Sequence, residues 1–168
     1  MLIKAKNFKD IQKNKVTLVK NFVSLTREYD FNLLSNLMEE NDCRISQKSS
    51  IGNLKDVFQI HDVSNVLEEF KIFNDFLSKL FKYKRDSRDE LDLFFSLVSQ
   101  VGISHVDVED VFIIGLKGIT IYRISDSENK DFYIKKGDMI FIPKNIKHKV
   151  IGLNPRIVAS AGFFGERK

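Results

Sequence analysis

The fold is decided by two stretches of the sequence, Ser104-His105-Val106-Asp107 and GDMIFIPKNIKH (Gly137–His148). His105 and Asp107 are two residues apart, so in a strand their side chains point to the same face, because side-chain direction repeats every second residue. A second imidazole from a strand alongside, that of His148, would place two imidazoles and one carboxylate around one metal ion. This donor set suits non-haem Fe(II) and leaves coordination positions open.

The proline of the second stretch explains how His148 reaches that position. Pro143 cannot donate a hydrogen bond to a sheet, so it ends the strand before it and fixes a bend. His148 then begins the next strand. The chain has only three histidines, and two of them fall at these linked positions. The alternative, two unrelated buried histidines, is the less economical interpretation, and the sequence therefore predicts a metal site.

Around these stretches, the C-terminal half of the chain breaks into short β-rich segments separated by Gly, Asn, Asp and Pro. Segments of this length and spacing indicate a double-stranded barrel or a sandwich. The predicted strands are Leu91–Val98, Ile103–Val108, Val111–Leu116, Ile119–Ile124, Phe132–Ile134, Met139–Ile142, His148–Ile151 and Ile157–Ala161.

The N-terminal half has a different pattern, in which apolar residues recur at helical spacing. Helices are predicted for Phe31–Glu40 and Ser64–Tyr83, and they would cover one outer face of the barrel. The other predicted segments are a loose arm (1–14), a strand (Lys15–Val23), a loop (Asn41–Asn53) and a short strand or helical turn (Leu54–Ile60). We expect a single domain over residues 1–168, with residues 1–90 packing on a β core formed by residues 91–168.

The composition is that of a globular protein with a large core. Of the 168 residues, 43% are hydrophobic and 15 are Phe, which argues against disorder. The formal net charge is +4, but the basic residues are spread among acidic ones, so a nucleic-acid partner is not indicated.

Cysteine usage and hydropathy bear on the compartment. A single cysteine, Cys43, excludes an intramolecular disulfide and suits a reducing compartment. The first ten residues have no apolar core of signal-peptide length, and no apolar run approaches the roughly 20 residues of a membrane helix. We therefore expect a cytoplasmic protein with no membrane segment.

The third histidine, His61, stands next to Asp62. We interpret this as a surface hydrogen-bonding pair, in preference to a metal site, because one His beside one Asp is too common a pair to indicate a ligand set.

Taken together, the C-terminal motifs resemble those of the cupin superfamily, and within it the Jumonji-C-like branch of Fe(II)/2-oxoglutarate-dependent oxygenases. The resemblance covers about Leu91–Gly165 and continues weakly into residues 15–90. The matching segments are His105-x-Asp107, Asp110–Ile114, Gly118, Gly137–His148 and, in character, Ile157–Phe164.

The resemblance implies a mainly β protein with N-terminal helices on a double-stranded β-helix, the cupin or jelly-roll barrel. It also implies that His105, Asp107 and His148 ligate the iron and form the catalytic centre, and that 2-oxoglutarate is the small-molecule cosubstrate.

One position departs from the family pattern. In such enzymes a Lys or Arg two residues beyond the glycine that is here Gly118 binds the far carboxylate of 2-oxoglutarate, and this chain has Thr120 there. A Thr hydroxyl can hydrogen-bond a carboxylate but supplies no charge. Tyr122, on the same face as Thr120, and Arg156, at the start of the last strand, are the residues expected to compensate. Arg156 is equally compatible with a surface position beside a proline turn.

Three functions follow as expectations. The first is an Fe(II)- and 2-oxoglutarate-dependent oxygenase that hydroxylates a protein side chain or a small molecule. The second is a metal-binding cupin that does not use 2-oxoglutarate, such as a dioxygenase, isomerase or sensor. The third is a non-catalytic barrel that acts as an interaction module. Small barrels of this type can also pair through edge strands, so a homodimer is possible.

Overall fold

The computed structural model describes residues 1–3, 11, 14–39, 44–47, 57–84, 86–125 and 129–166. The α-helices are Phe31–Glu39 (α1) and Glu68–Leu80 (α2). The strands are Leu2–Ile3 (β1), Thr17–Val19 (β2), Val23–Ser24 (β3), Arg44–Gln47 (β4), Val57–His61 (β5), Leu91–Ser96 (β6), Gln100–Val101 (β7), Asp110–Lys117 (β8), Thr120–Ile124 (β9), Lys130–Ile134 (β10), Met139–Ile142 (β11), His148–Gly152 (β12) and Arg156–Phe163 (β13).

A large antiparallel sheet forms the centre of the molecule, with strand order β2-β11-β8-β13-β6-β5-β4. Its middle strands are apolar in nearly every position because both faces of the sheet are covered. In β8, every residue from Asp110 to Leu116 is buried. This sheet also takes in strands from the N-terminal half (β2, β4 and β5), so that half contributes strands to the β core as well as helices.

The two faces of the large sheet carry different layers, as the alternation along β8 shows. Phe112 and Ile114 belong to a core that includes Phe70 and Phe73 of α2. Between them, Ile113 points the other way, into a second core. A helix therefore covers one face, and the second sheet covers the other.

The second sheet is antiparallel and smaller, with order β10-β9-β12-β7. The second core joins the sheets and contains Val111, Ile113, Ile140, Ile142 and Val158 from the large sheet and Tyr122, Ile124 and Ile134 from the small one. No described strand is hydrogen-bonded into both sheets. The barrel prediction is therefore confirmed only in its coarser form, a mainly β fold with two helices, since the described sheets do not close on each other.

Several element boundaries differ from the sequence prediction. The strand predicted for Lys15–Val23 is split into β2 and β3, because Asn21 adopts a left-handed conformation with φ of 50°. The helix predicted from Ser64 begins instead with a 3-10 turn at Val63–Asn65, and α2 starts at Glu68. Neither described helix is long and apolar enough to span a membrane.

Two segments differ in type from the sequence prediction. The predicted loop Asn41–Asn53 contains β4, which pairs with β5 at the edge of the large sheet. The predicted strand Ile103–Val108 is irregular, and only His105 makes a β-bridge. Cys43, most of the N-terminal arm (1–14) and residues 126–128 of the predicted turn before β10 lie outside the described residues.

Candidate metal centre

The backbone brings the two histidines of the predicted metal site face to face. His105 and His148 form an antiparallel bridge in which each N–H donates to the carbonyl of the other, at 2.8 and 2.9 Å. Asn145 donates its N–H to the Asp107 carbonyl at 2.8 Å. The irregular segment after β7 is thereby held against the start of β12.

A buried carboxylate fixes the loop that leads to His148. Asp110, at the start of β8, accepts the Lys144 N–H at 2.9 Å and the Tyr83 hydroxyl at 2.5 Å. Pro143 has ended β11 just before this contact, so the loop is anchored where it turns back. The position of His148 therefore follows from the strand register and from this anchor.

The side chains of the predicted triad converge. His148 Nε2 lies 3.5 Å from Asp107 Oδ2, and His105 Nε2 lies 3.7 Å from Asp107 Oδ1. One donor atom from each residue lies within 4.8 Å of the other two. A metal ion bound at about 2.0–2.2 Å holds its ligand atoms about 3–3.5 Å apart, so these three groups need to move little to share one ion.

The ring orientations also suit a metal. His105 Nδ1 lies 3.1 Å from the Ile103 carbonyl, and His148 Nδ1 lies 2.9 Å from the Ile146 carbonyl. A carbonyl can only accept, so Nδ1 is the protonated nitrogen of each ring. The lone pair of each neutral imidazole is then on Nε2, which faces Asp107, as in metal-binding histidines held by a second hydrogen bond.

The centre is closed on one side and open on the other. The His148 side chain is 2% exposed, whereas those of His105 and Asp107 are 33% and 25% exposed. Burial lowers the pKa of His148, which keeps the ring in the neutral form that binds metal. The partial exposure of His105 and Asp107 leaves a side from which small molecules can approach.

A cavity of about 230 Å³ extends from the centre between the two sheets. Its walls are largely apolar, as befits a pocket for a small molecule. Besides the triad, the polar side chains that line it are those of Gln59, Asp92, Glu109, Tyr122, Arg156 and Ser160.

Arg156 lies in this cavity and not on the surface, since only 4% of it is exposed. Its Nη1 donates to the Val98 carbonyl at 3.2 Å. A Cβ on Gly152 would lie 1.8 Å from that nitrogen, so the guanidinium occupies space that only glycine provides. Gly152 is the cross-strand partner of Thr120. The cationic group therefore lies beside the position at which the family pattern has a basic residue.

The surroundings of Arg156 leave its charge available. Burial lowers its pKa, but a guanidinium stays charged at any physiological pH. Among the described residues, no carboxylate lies within 4.0 Å of it. A buried cation without an anionic partner is costly, and an anionic ligand in the cavity would remove that cost.

The other two predicted cosubstrate residues differ in their placement. Tyr122 lines the cavity, with its ring centroid 6.4 Å from that of His148, and burial raises the pKa of its hydroxyl. Thr120 is 2% exposed and does not line the cavity. The sequence alone did not indicate Gly152. Its role, to leave space for the Arg156 guanidinium, becomes visible only when the positions of the two residues are known.

The comparisons with known proteins bear on the fold. No protein-family model matches the chain, and no curated protein is significantly similar to it in sequence. Among solved structures, YcfD, a ribosomal oxygenase from Escherichia coli, matches with a TM-score of 0.68 in complex with cobalt and succinic acid and 0.67 with cobalt and 2-oxoglutarate. In both comparisons the identity is 19%, and the match covers 95% of this chain and 51% of YcfD.

A cupin superfamily protein from Desulfitobacterium hafniense matches at a TM-score of 0.42 and 14% identity, over 48% of this chain and 71% of that protein. This chain spans about half the length of YcfD. The resemblance predicted from the motifs is confirmed, as a resemblance in fold, by the match to YcfD over nearly the whole of this chain.

Proposed function

We propose that this chain is an Fe(II)- and 2-oxoglutarate-dependent oxygenase that hydroxylates a protein side chain or a small molecule. The observation that carries the proposal is the convergence of His105, Asp107 and His148, with both Nε2 atoms facing one carboxylate. We further propose that the two facing sheets correspond to the double-stranded β-helix of the Jumonji-C-like enzymes, with the cavity between them as the active site.

The donor set fits Fe(II). Two neutral imidazoles and one carboxylate would hold Fe(II), and three protein ligands would leave the ion able to bind small molecules as well. The Ile103 and Ile146 carbonyls fix the ring orientations, and the partial exposure of His105 and Asp107 leaves the open side toward the cavity.

The residues that line the cavity away from the triad fit the far carboxylate of 2-oxoglutarate. Arg156 offers a planar fork that suits a carboxylate, and it stands beside Thr120, where the family pattern has its basic residue. The Tyr122 hydroxyl is a neutral donor, since its raised pKa keeps it protonated. We propose that Arg156 binds the far carboxylate and that Tyr122 contributes a hydrogen bond. Thr120 lies across the strand pair from Gly152 and does not line the cavity.

The residues of the chain supply binding and orientation in this mechanism. Bound iron and 2-oxoglutarate supply the activation of oxygen and the oxidation of a C–H bond. The triad holds the metal, Arg156 orients the cosubstrate, and the apolar walls, among them Val111, Ile113 and Val158, exclude water. No side chain needs to act as a general acid or base.

Anaerobic titration with Fe(II) and then with 2-oxoglutarate tests the proposal. We expect the visible charge-transfer band of the chelate in the wild type and its loss in His105→Ala and in Asp107→Ala. Asp131→Asn is the matched control, because Asp131 pairs with Arg123 outside the cavity, and it should retain the band. A band that survives both triad substitutions would contradict the ligand assignment.

A metal-binding protein that does not use 2-oxoglutarate is the second candidate, favoured by the uncharged Thr120. The same titration separates the two functions. This second candidate predicts that the triad binds the metal and that no charge-transfer band appears when 2-oxoglutarate is added.

A further inference from the structure

A second cluster of metal-ligating groups lies on the large sheet, on the strands β5 and β6. The register pairs Gln59 with Phe94 and Ile60 with Leu93, so His61 comes opposite Asp92. Glu90 is two residues before Asp92 and faces the same way. His61 Nδ1 lies 3.6 Å from Asp92 Oδ2 and 3.9 Å from Glu90 Oε2, and one donor atom of each residue lies within 4.8 Å of the others.

This cluster repeats the plan of the first centre. There, His105-x-Asp107 provides two ligands from one segment, and His148 provides the third from the segment bridged to it. Here, Glu90-x-Asp92 provides two ligands, and His61 provides the third from the neighbouring strand. The nitrogen–oxygen distances of 3.6 and 3.9 Å in this cluster are close to those of 3.5 and 3.7 Å in the first centre. All four are close to or slightly longer than the roughly 3–3.5 Å between ligand atoms that share one ion.

A buried amide lies against the cluster, and one of its two polar atoms has no partner. Gln59 is 3% exposed. Its Nε2 lies 3.1 Å from His61 Nδ1 and donates to Asp92 Oδ2, while its Oε1 is buried and has no hydrogen-bond partner. A buried carbonyl oxygen without a partner costs about 1–3 kcal/mol. Nε2 is the atom that faces the cluster in this orientation. Rotation of the amide about its last bond would turn Oε1 toward the cluster, where a cation would give that oxygen a partner, and the NH2 group would take the buried position that Oε1 leaves.

A backbone hydrogen bond holds one of the two carboxylates of the cluster. The Asp62 N–H donates to Asp92 Oδ1 at 2.9 Å, which holds that carboxylate as hydrogen bonds hold the ligands of metal sites. The side chains of His61 and Asp92 are 14% exposed and that of Glu90 is 41% exposed, so solvent reaches the cluster through Glu90. Asp62 itself binds Ser64 and Asn65. The surface pair expected from the sequence is therefore replaced by a cross-strand cluster.

We propose that His61, Glu90 and Asp92 bind a second divalent cation, with Gln59 Oε1 as a further ligand. One imidazole with two carboxylates suits Zn²⁺ or Mn²⁺, because imidazole favours the first and oxygen ligands favour the second. Gln59 and Asp92 also line the cavity of the first centre, so this ion would lie in the wall of the same cavity. The proposal does not depend on the proposed oxygenase function.

Metal stoichiometry tests the site without reference to activity. Purified protein is stripped with chelator and dialysed against micromolar Zn²⁺, and bound metal is counted per chain by mass spectrometry. We expect two ions in the wild type, one in Asp107→Ala, and one in His61→Ala and in Asp92→Asn. The double variant Asp107→Ala/Asp92→Asn should bind none. Glu109→Gln in the Asp107→Ala background is the matched control, as a carboxylate of the same cavity outside the cluster, and should retain one ion.

The variants also separate loss of metal from loss of fold. Asp92→Asn keeps the shape of the side chain, and circular dichroism of each stripped variant establishes that it is folded before metal is counted. One ion in the wild type and none in folded Asp107→Ala would overturn the proposal. Two ions in the wild type that persist in both His61→Ala and Asp92→Asn would overturn it equally, because the second ion would then bind elsewhere.

Discussion

At the scale of single residues, the contact between Gly152 and Arg156 places a guanidinium in the wall of the cavity. The guanidinium lies where a side chain at position 152 would be, and its only described hydrogen bond in the protein is to the Val98 carbonyl. The Arg156 side chain lines the cavity. A planar, charged fork of this kind selects a carboxylate over a neutral group.

Substitution of Gly152 by Ala should displace the guanidinium. The new Cβ would lie 1.8 Å from Nη1, so the Arg156 side chain has to move, although the backbone of β12 is kept. A charge-assisted hydrogen bond is worth about 1.5–3 kcal/mol, and we therefore expect the affinity for 2-oxoglutarate to fall by about 10–100-fold, as measured by anaerobic titration of the chelate band.

The matched control is Gly162→Ala, where the new Cβ would lie 3.2 Å from the flexible Glu109 side chain. It should leave the affinity for 2-oxoglutarate within about threefold of the wild type. Equal losses in both variants would mean that strand distortion, and not displacement of Arg156, weakens binding.

Replacement of Arg156 separates charge from geometry. Arg156→Lys keeps a positive charge but loses the planar fork, whereas Arg156→Gln loses the charge. We expect 2-oxoglutarate to bind more weakly in the order wild type, Lys, Gln, while Fe(II) affinity is unchanged because the ligands are untouched. Calorimetric titration with each ligand measures both, and an unchanged 2-oxoglutarate affinity in Arg156→Gln would show that the far carboxylate binds elsewhere.

At the scale of elements, the turn before β11 joins the N-terminal half of the chain to the β core. Asp138 is 4% exposed. Its carboxylate accepts the Asn21 N–H at 3.0 Å, the Lys20 ammonium at 2.8 Å and the Lys135 N–H at 3.1 Å. The turn after β2 is thereby fixed to the turn that begins the GDMIFIP strand.

Asp138→Ala should therefore destabilise the fold as a whole. It leaves two backbone N–H groups without their acceptor, and we expect the free energy of unfolding, measured by urea denaturation, to fall by about 2–4 kcal/mol. Asp131→Asn serves as the comparison, because its pair with Arg123 is half-exposed and should contribute at most about 1 kcal/mol. Similar effects for both substitutions would show that Asp138 does not connect the two turns.

The elements also show which parts of the fold the sequence can predict. The apolar strands of the core were located within a few residues, because β-branched runs between Gly, Asp and Pro leave few other structures. β4 was not, since Arg44–Gln47 has no apolar alternation and its strand depends on pairing with β5. Likewise, Ile103–Val108 has the composition of a strand, but the segment is irregular. His105 alone pairs with a strand residue, His148, and Asp107 is bound by Asn145 of the loop before β12.

In the candidate site, too, some features follow from the local sequence and others depend on strand pairing. The spacing of His105, Asp107 and His148 indicated a shared ion, since strand periodicity and a proline bend are local properties. The position of Arg156 and the cluster around His61 depend on register between strands far apart in sequence. A turn composition of Asn-Pro before Arg156 is equally compatible with a surface residue, and only the cross-strand relation of Gly152 and Thr120 places it in the cavity.

At the scale of the whole molecule, the proposed metal ion and 2-oxoglutarate would together connect the two sheets. His148 belongs to β12 of the small sheet, and Arg156 belongs to β13 of the large sheet. Both line one cavity. A dicarboxylate bound to the metal at one end and to Arg156 at the other would therefore stabilise the packing of the sheets, and it would do so only when the metal is present.

Thermal unfolding should reveal this dependence. With Mn²⁺ in place of Fe(II) to prevent turnover, 2-oxoglutarate at about 100 times its Kd should add about 2.7 kcal/mol, which raises the Tm of a chain of this size by about 5–10 °C. Without metal, or in Asp107→Ala, the same concentration should raise the Tm by less than about 1 °C. In Arg156→Gln the increment from Mn²⁺ should remain, while the further increment from 2-oxoglutarate should fall to about half or less, because the ligand binds more weakly without its contact to β13. Glutarate, which has both carboxylates but no keto group to chelate the metal, should stabilise the wild type less than 2-oxoglutarate. Equal stabilisation by the two compounds, with or without Mn²⁺, would show that the dicarboxylate binds away from the metal centre and that the cavity is not a cosubstrate site.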